Sequence, residues 1–233
     1  MRRHAVLLFL VATTSASAQS GASRYPFKPV PLPDSSEIAL AVSAAPSEVT
    51  DKATVYAIRD GKVVTLRTGS NGVACLVARD LHEGGLYPIC FNAEGTRTVM
   101  RRELMQVQLR SLGVSEDSVD RAVSSAYARG ELTAPRELAL AYMMSPRQVL
   151  FSSPDAAGRR VGAWHPHLMF YVPGATPAKF GLTQDGAGEP ISVGSPGTPQ
   201  AEMIVKVPKW ADGSPVAGGA KDHDLRCHSE RTK

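Results

Sequence analysis

Thr54-Val55-Tyr56-Ala57-Ile58-Arg59-Asp60-Gly61-Lys62-Val63-Val64-Thr65-Leu66 is the stretch that sets the fold class. Residues 54–58 alternate in polarity, and residues 63–66 are rich in β-branched side chains. Between them stands Asp60-Gly61, a dipeptide suited to a two-residue hairpin because both positions tolerate positive φ. Two antiparallel strands are therefore predicted. Working downstream, the loop Thr68-Gly69-Ser70-Asn71-Gly72 leads to a third strand, Val73 to Val77, and the turn Asp80 to Gly85 leads to a fourth, Tyr87 to Phe91. In simple succession these four make an antiparallel meander.

The same turn bears on the cysteines. If it is centred between His82 and Glu83, facing residues sum to 165, which puts Cys75 opposite Cys90. Opposed strand residues hold their Cβ atoms about 4.5–5.5 Å apart, close to disulfide range. A cross-strand bridge is expected, with Cys227 left over in a polar tail. The other reading of Cys75 is a nucleophilic thiol assisted by a histidine elsewhere.

The start of the chain gives the compartment. Arg2, Arg3 and His4 are basic, Ala5 to Val11 is a short apolar run, and Ala16-Ser17-Ala18 is an A-x-A site ahead of Gln19. That order is a secretory signal peptide over residues 1–18, cleaved between Ala18 and Gln19. An exported protein, periplasmic or secreted, is expected, in a compartment where a disulfide persists. Residues 19–33 are proline-rich and read as an extended arm, with Tyr25, Phe27 and Val30 available to dock. Residues 34–208 read as one globular domain and 209–233 as a polar, disordered tail.

Within the domain, Asp34 opens a helix, with Glu37 at capping-box spacing and Pro46 as the stop. Val99 to Leu112 carries Val99, Leu104, Val107 and Leu112 along one stripe and ends at Gly113. Ser115 caps a second helix that buries Val119, Ala122, Val123, Ala126 and Tyr127 and stops at Gly130. This helical hairpin should cover one face of the sheet. Leu138 to Met144 suits a helix or a buried strand. Gln148 to Phe151, Leu168 to Val172 and Met203 to Val207 read as strands, and Gly174 to Thr198 as a long glycine- and proline-rich loop. The fold class is thus α+β: an antiparallel meander, a helical hairpin on one face and a proline/glycine-rich C-terminal part.

The formal charge is +4 from 26 basic and 22 acidic residues; Arg2 and Arg3 leave with the leader, so the mature balance is +2. That gives no argument for nucleic acid. No second apolar stretch approaches the roughly 20 residues a spanning helix needs. The sequence lacks the G-x-S-x-G elbow, the phosphate-binding loop, G-x-G-x-x-G, H-E-x-x-H and C-x-x-C, so no cofactor is implied. Gly194-Ser195-Pro196-Gly197 reads as an ordinary loop.

Two weak sites stand out. His165-Pro166-His167 puts two imidazoles on one side of an extended chain, the beginning of a metal site that would need a third ligand from Glu94, Glu189 or His223. The plainer reading makes His165 a surface residue and His167 a partly buried one whose ring bonds a nearby backbone group or carboxylate. Glu94, in Asn92-Ala93-Glu94-Gly95 after the fourth strand, is a candidate base at a strand end, or a carboxylate favoured by the start of the next helix. Asp222-His223-Asp224 with Cys227-His228 gathers ligand types in the tail.

Asn71 to Val77 (N-G-V-A-C-L-V), Pro88 to Gly95 (P-I-C-F-N-A-E-G), Ala141 to Ser145 (A-Y-M-M-S) and His165 to Tyr171 (H-P-H-L-M-F-Y) together resemble an uncharacterised group of exported bacterial proteins of about this length. The resemblance runs from about Glu37 to Val207 and implies a single exported domain. It brings no activity, cofactor or catalytic residue. It implies a histidine at the position of His167, with His165 less typical. The leading expectation is a domain that binds a ligand or partner without turnover. The alternative is an envelope or extracellular hydrolase using His167 with Glu94 or Cys75.

Overall fold

The hairpin of β1 (Thr54–Arg59) and β2 (Lys62–Arg67) is present, with Arg59 opposite Lys62 and the turn at Asp60 and Gly61, whose φ angles are 50° and 71°. The computed structural model describes residues 31–80, 85–150, 164–183 and 190–216. The signal peptide, most of the arm, Glu189, His223 and Cys227 lie outside the described residues.

β3 (Ala74–Asp80) and β4 (Gly85–Phe91) form the second hairpin, in the register that sets Cys75 opposite Cys90. The four strands are not a meander. β3 pairs in parallel with β1, leaving β2 at the edge. Two features of the residues explain this. β3 is buried on both faces, whereas Lys62, Val63 and Thr65 of β2 are exposed, so β3 belongs inside and β2 outside. The loop after β2 also crosses beneath the start of β1: the Ser70 N–H donates to Lys52 O at 2.8 Å, and the Gly69 N–H donates to Thr54 Oγ1 at 3.0 Å. A Cβ at Gly69 would lie 2.3 Å from the backbone of residues 52–54, so this crossing needs glycine.

The segment from Leu138 to Met144 resolves as strand β5 (Ala139–Met143), antiparallel to β4. Then follow β6 (Val149–Leu150), which also pairs with β4, and β7 (His167–Tyr171), β8 (Ile191–Gly194) and β9 (Glu202–Lys206). The sheet order is β2-β1-β3-β4-β5-β7-β9-β8. β8 falls within the expected long loop. Its pairing with β9 is set by tertiary partners that glycine and proline counts do not reveal.

Two layers of helix flank the sheet. α1 (Asp34–Ala41) continues as a 3-10 turn (Val42–Ala44) and a short α2 (Ser47–Thr50), and covers the face bearing Val55, Cys75, Val77 and Cys90. The capping box does not form. No side chain caps α1, and Glu37 instead turns inward to Arg79. On the opposite face, α3 (Ala93–Arg97) leads into α4 (Val99–Ser111). There Val99, Met100 and Val107 join Leu76, Ile89, Phe91, Met143, Met169 and Tyr171 in the main core. α5 (Glu116–Ala128) packs on α4 through Val123 and Ala126. Leu112, expected on the buried stripe, is 63% exposed beyond the last turn of α4.

Residues 209–216 are folded, so the tail does not begin at 209. Lys209 bridges to Pro215, and the Ala211 N–H donates to Met144 O at 2.8 Å. The short turn is fixed by Asp212, whose carboxylate accepts from the Ser214 N–H and hydroxyl.

Candidate functional site

α4 brings charge onto its inward face. Val99, Arg102, Glu103, Gln106, Val107 and Arg110 follow one another at helical spacing, so four polar residues ride on the stripe that packs toward the sheet. Opposite them stand Tyr171 near the end of β7 and Glu202 at the start of β9, which are register partners. The loop joining β8 to β9 closes the third side. It is pinned by the Gly197 N–H to Ala175 O (2.7 Å) and the Gly174 N–H to Thr198 O (2.8 Å). These elements enclose a cavity of about 320 Å³ with Ile89, Met143 and Met169 on its apolar wall.

Arg102 is 8% exposed, and its guanidinium lies 5.6 Å from the centre of the Tyr171 ring. Nη1 donates to Gln200 Oε1 at 3.2 Å, and Nη2 stands 3.5 Å from Glu103 Oε2. Nε is buried without a partner. Burial opposes the charge, but Tyr171, Glu103 and Glu202 outweigh it, so the pKa of Arg102 is raised.

Glu202 is 5% exposed and makes no ion pair with Arg102 within 4.0 Å. Its Oε2 has no hydrogen-bond partner. Its side chain lies against Gly194, where a Cβ would come 2.2 Å from Oε1, so glycine there makes room for the carboxyl group. Burial pushes the Glu202 carboxyl up to about 7; Arg102 pulls it down and Glu103 pushes it further up. Burial likewise raises the Tyr171 hydroxyl, against the pull of Arg102. Arg110, at the cavity's far side, is held by Glu116 through two bonds of 2.9 and 3.0 Å.

The residues singled out from the sequence lie elsewhere and do not converge. Cys75 and Cys90 are joined by an S–S bond of 2.03 Å on the α1 face. A bonded Cys75 holds no thiolate, so it is no nucleophile in this form. His167 faces the other side of the sheet, opposite Met143. It is 3% exposed, its Nδ1 is 2.7 Å from His165 O, and burial lowers its pKa to about 4. His167 is thus more deeply buried than the plainer reading has it, and its ring partner is backbone. His165 is half-buried rather than a surface residue, with Nδ1 shielded and unpartnered.

Glu94 belongs to the other end of β5. Its Oε1 accepts from the Arg136 N–H at 3.0 Å and its Oε2 pairs with Arg97. The Arg136 N–H bond leads in holding its carboxyl below the usual carboxylate range, with Arg97 adding to it. Glu94 thus serves the start of α3 and the chain entering β5, remote along β5 from His167. Asn71 ties its own loop to Val49 and Val73. Among the described residues no three of His, Cys, Asp and Glu gather as a metal site.

Sequence reasoning missed Arg102, Glu202, Tyr171 and Gln200. A signal was present for two of them. Arg102 interrupts the apolar stripe of α4, and Glu202 opens the apolar run of β9, both places where a charge needs a reason. Comparison with protein-family models, curated proteins and solved structures brings no match to this chain.

Proposed function

We propose that the chain is an exported binding domain that takes a small polar ligand into the α4–β7–β9 cavity and releases it unchanged. One observation carries this reading: Arg102 and Glu202 line the same cavity, and each also holds a buried side-chain atom, Nε and Oε2, without a partner. Leaving a buried polar group unpaired costs about 1–3 kcal/mol, and more for a charged one. Two such atoms on oppositely charged residues of one cavity favour a site that uses these side chains over a purely structural core. Support for export comes from the order of residues 1–18 and from the Cys75–Cys90 bond, which suits an oxidising compartment.

A second reading has its own support. Glu202, its carboxyl raised by burial to about 7, shares the cavity with the Glu103 carboxyl, and a group poised near neutral pH can give or take a proton. One experiment separates the two. The mature protein is dialysed against a small-molecule extract, washed, denatured and examined by mass spectrometry beside Arg102→Gln. A retained compound recovered intact, and absent from the variant, is expected. Recovery of a chemically altered compound would move the assignment to an enzyme, and retention of nothing would overturn both readings.

A further inference from the structure

We propose that the ligand is a free α-amino acid with an apolar side chain, its carboxylate held by Arg102 and its ammonium by Glu202 beside the Tyr171 ring. This rests on the binding reading above and names the ligand class.

Three features carry it. Arg102 and Glu202 flank one residue: the guanidinium lies over the Tyr171 ring, and Glu202 is the register partner of Tyr171 on the adjacent strand. They are opposite charges, yet no direct pair within 4.0 Å joins them. An α-amino acid carries its own opposite charges on one carbon, so it matches two neighbouring, complementary, unjoined groups. Each of those groups keeps spare capacity, since Arg102 Nε has no acceptor and Glu202 Oε2 no donor.

Both atoms are already shielded from water. A ligand therefore reaches them only when the side chains turn toward the cavity, Arg102 giving up its contacts to Gln200 and Glu103 for a charge-assisted bond to the ligand. Beyond the charged end lie Ile89, Met143 and Met169, an apolar wall with two thioethers that adapt to side chains of different shape. The volume of about 320 Å³ sits at the small end of ligand pockets, which fits a metabolite of amino-acid size.

The same pair supplies discrimination. A ligand with only a carboxylate leaves Glu202 unpaired and repelled. A ligand with only an amine does the same to Arg102.

Isothermal titration of the mature protein at pH 8 tests this, using L-leucine, L-methionine and L-phenylalanine as probes. 4-Methylpentanoate and 3-methylbutylamine supply the two halves of leucine. At least one amino acid is expected to bind, with each half-molecule weaker by about tenfold or more. Glu202→Gln should weaken the amino acid and spare the carboxylate half. A half-molecule that binds as well as its amino acid overturns the proposal on the unaltered protein, whatever the variant does. So does the absence of binding by any amino acid. If the extract experiment still retains an intact compound in that case, the ligand class is wrong and the binding reading stands; if it retains nothing, both fall.

Discussion

Single residues hold the two decisive joints of the fold. Gly61 has φ of 71° at the β1–β2 turn, a region that a β-branched side chain resists. A Cβ there also meets Leu112 Cδ2 at 2.7 Å, but that side chain is exposed and free to swing away, so the backbone sets the cost. Gly61→Val should lower stability by about 1–2 kcal/mol, read from the urea midpoint; an unmoved midpoint would mean that the turn bears no such constraint. Glu37 is the second joint. It is fully buried, receives Arg79 through bonds of 2.8 and 2.6 Å, and has Arg59 at 3.7 Å. Glu37→Ala leaves the Arg79 guanidinium without its carboxylate beneath α1, while Arg59 keeps Asp34 at 3.1 Å, a loss of about 3–5 kcal/mol. Thermal unfolding should show it, and a change under 1 kcal/mol would reduce the cluster to a surface pair. The position of Glu37 three residues after Asp34 was legible in the sequence. Its partner was not, because a capping box and a buried ion pair ask for the same residue type at that spacing.

Elements differ in how much of themselves the sequence displays. The two hairpins were legible because their determinants are local: a turn that fixes register, and alternation on either side. The Cys75–Cys90 pairing followed from that register alone. The parallel partnership of β1 and β3 was not legible, since it depends on Gly69 passing close under residues 52–54, a contact between segments with no shared periodicity. α4 shows the same limit from the other side. Its apolar stripe could be read, whereas Arg102 and Glu103 on that stripe gain meaning only when β7 and β9 stand opposite. The disulfide allows an element-scale test. It closes a 15-residue separation between two central strands, worth about 2–4 kcal/mol. The double variant Cys75→Ala, Cys90→Ala should lose that amount in urea unfolding while keeping its circular dichroism spectrum. Stability equal to wild type would show that the β3–β4 pairing needs no covalent support.

At the scale of the whole molecule, two buried groups make stability depend on pH in opposite senses. Burial raises the Glu202 carboxyl from 4.5 to about 7. Between those values the folded chain holds a proton that the unfolded chain has lost, so stability falls as pH rises through the window. The contribution is complete below 4.5 and gone above 7. His167 runs the other way. Its pKa falls from 6.5 to about 4, with burial leading against the opposing bond to the His165 backbone, and Lys206 adding to the fall. Between 4 and 6.5 the unfolded chain holds the extra proton, so stability rises with pH and is lost as pH falls toward 4. Each effect amounts to about 3 kcal/mol. Over pH 4.5 to 6.5 the two slopes oppose each other, and wild type should appear nearly flat with respect to these groups. Glu202→Gln replaces a carboxyl that is neutral at low pH with one that is neutral throughout. It should therefore gain up to about 3 kcal/mol over wild type at pH 8 and almost nothing at pH 4.5. Urea unfolding at pH 4.5, 6 and 8 measures this directly. A gain of the same size at every pH would mean that the Glu202 carboxyl binds its proton equally in the folded and unfolded chain, and the gain would then not come from its buried charge. If the gain at pH 8 appears together with loss of the cavity's ligand, the charge that weakens the fold is the one that holds the ligand.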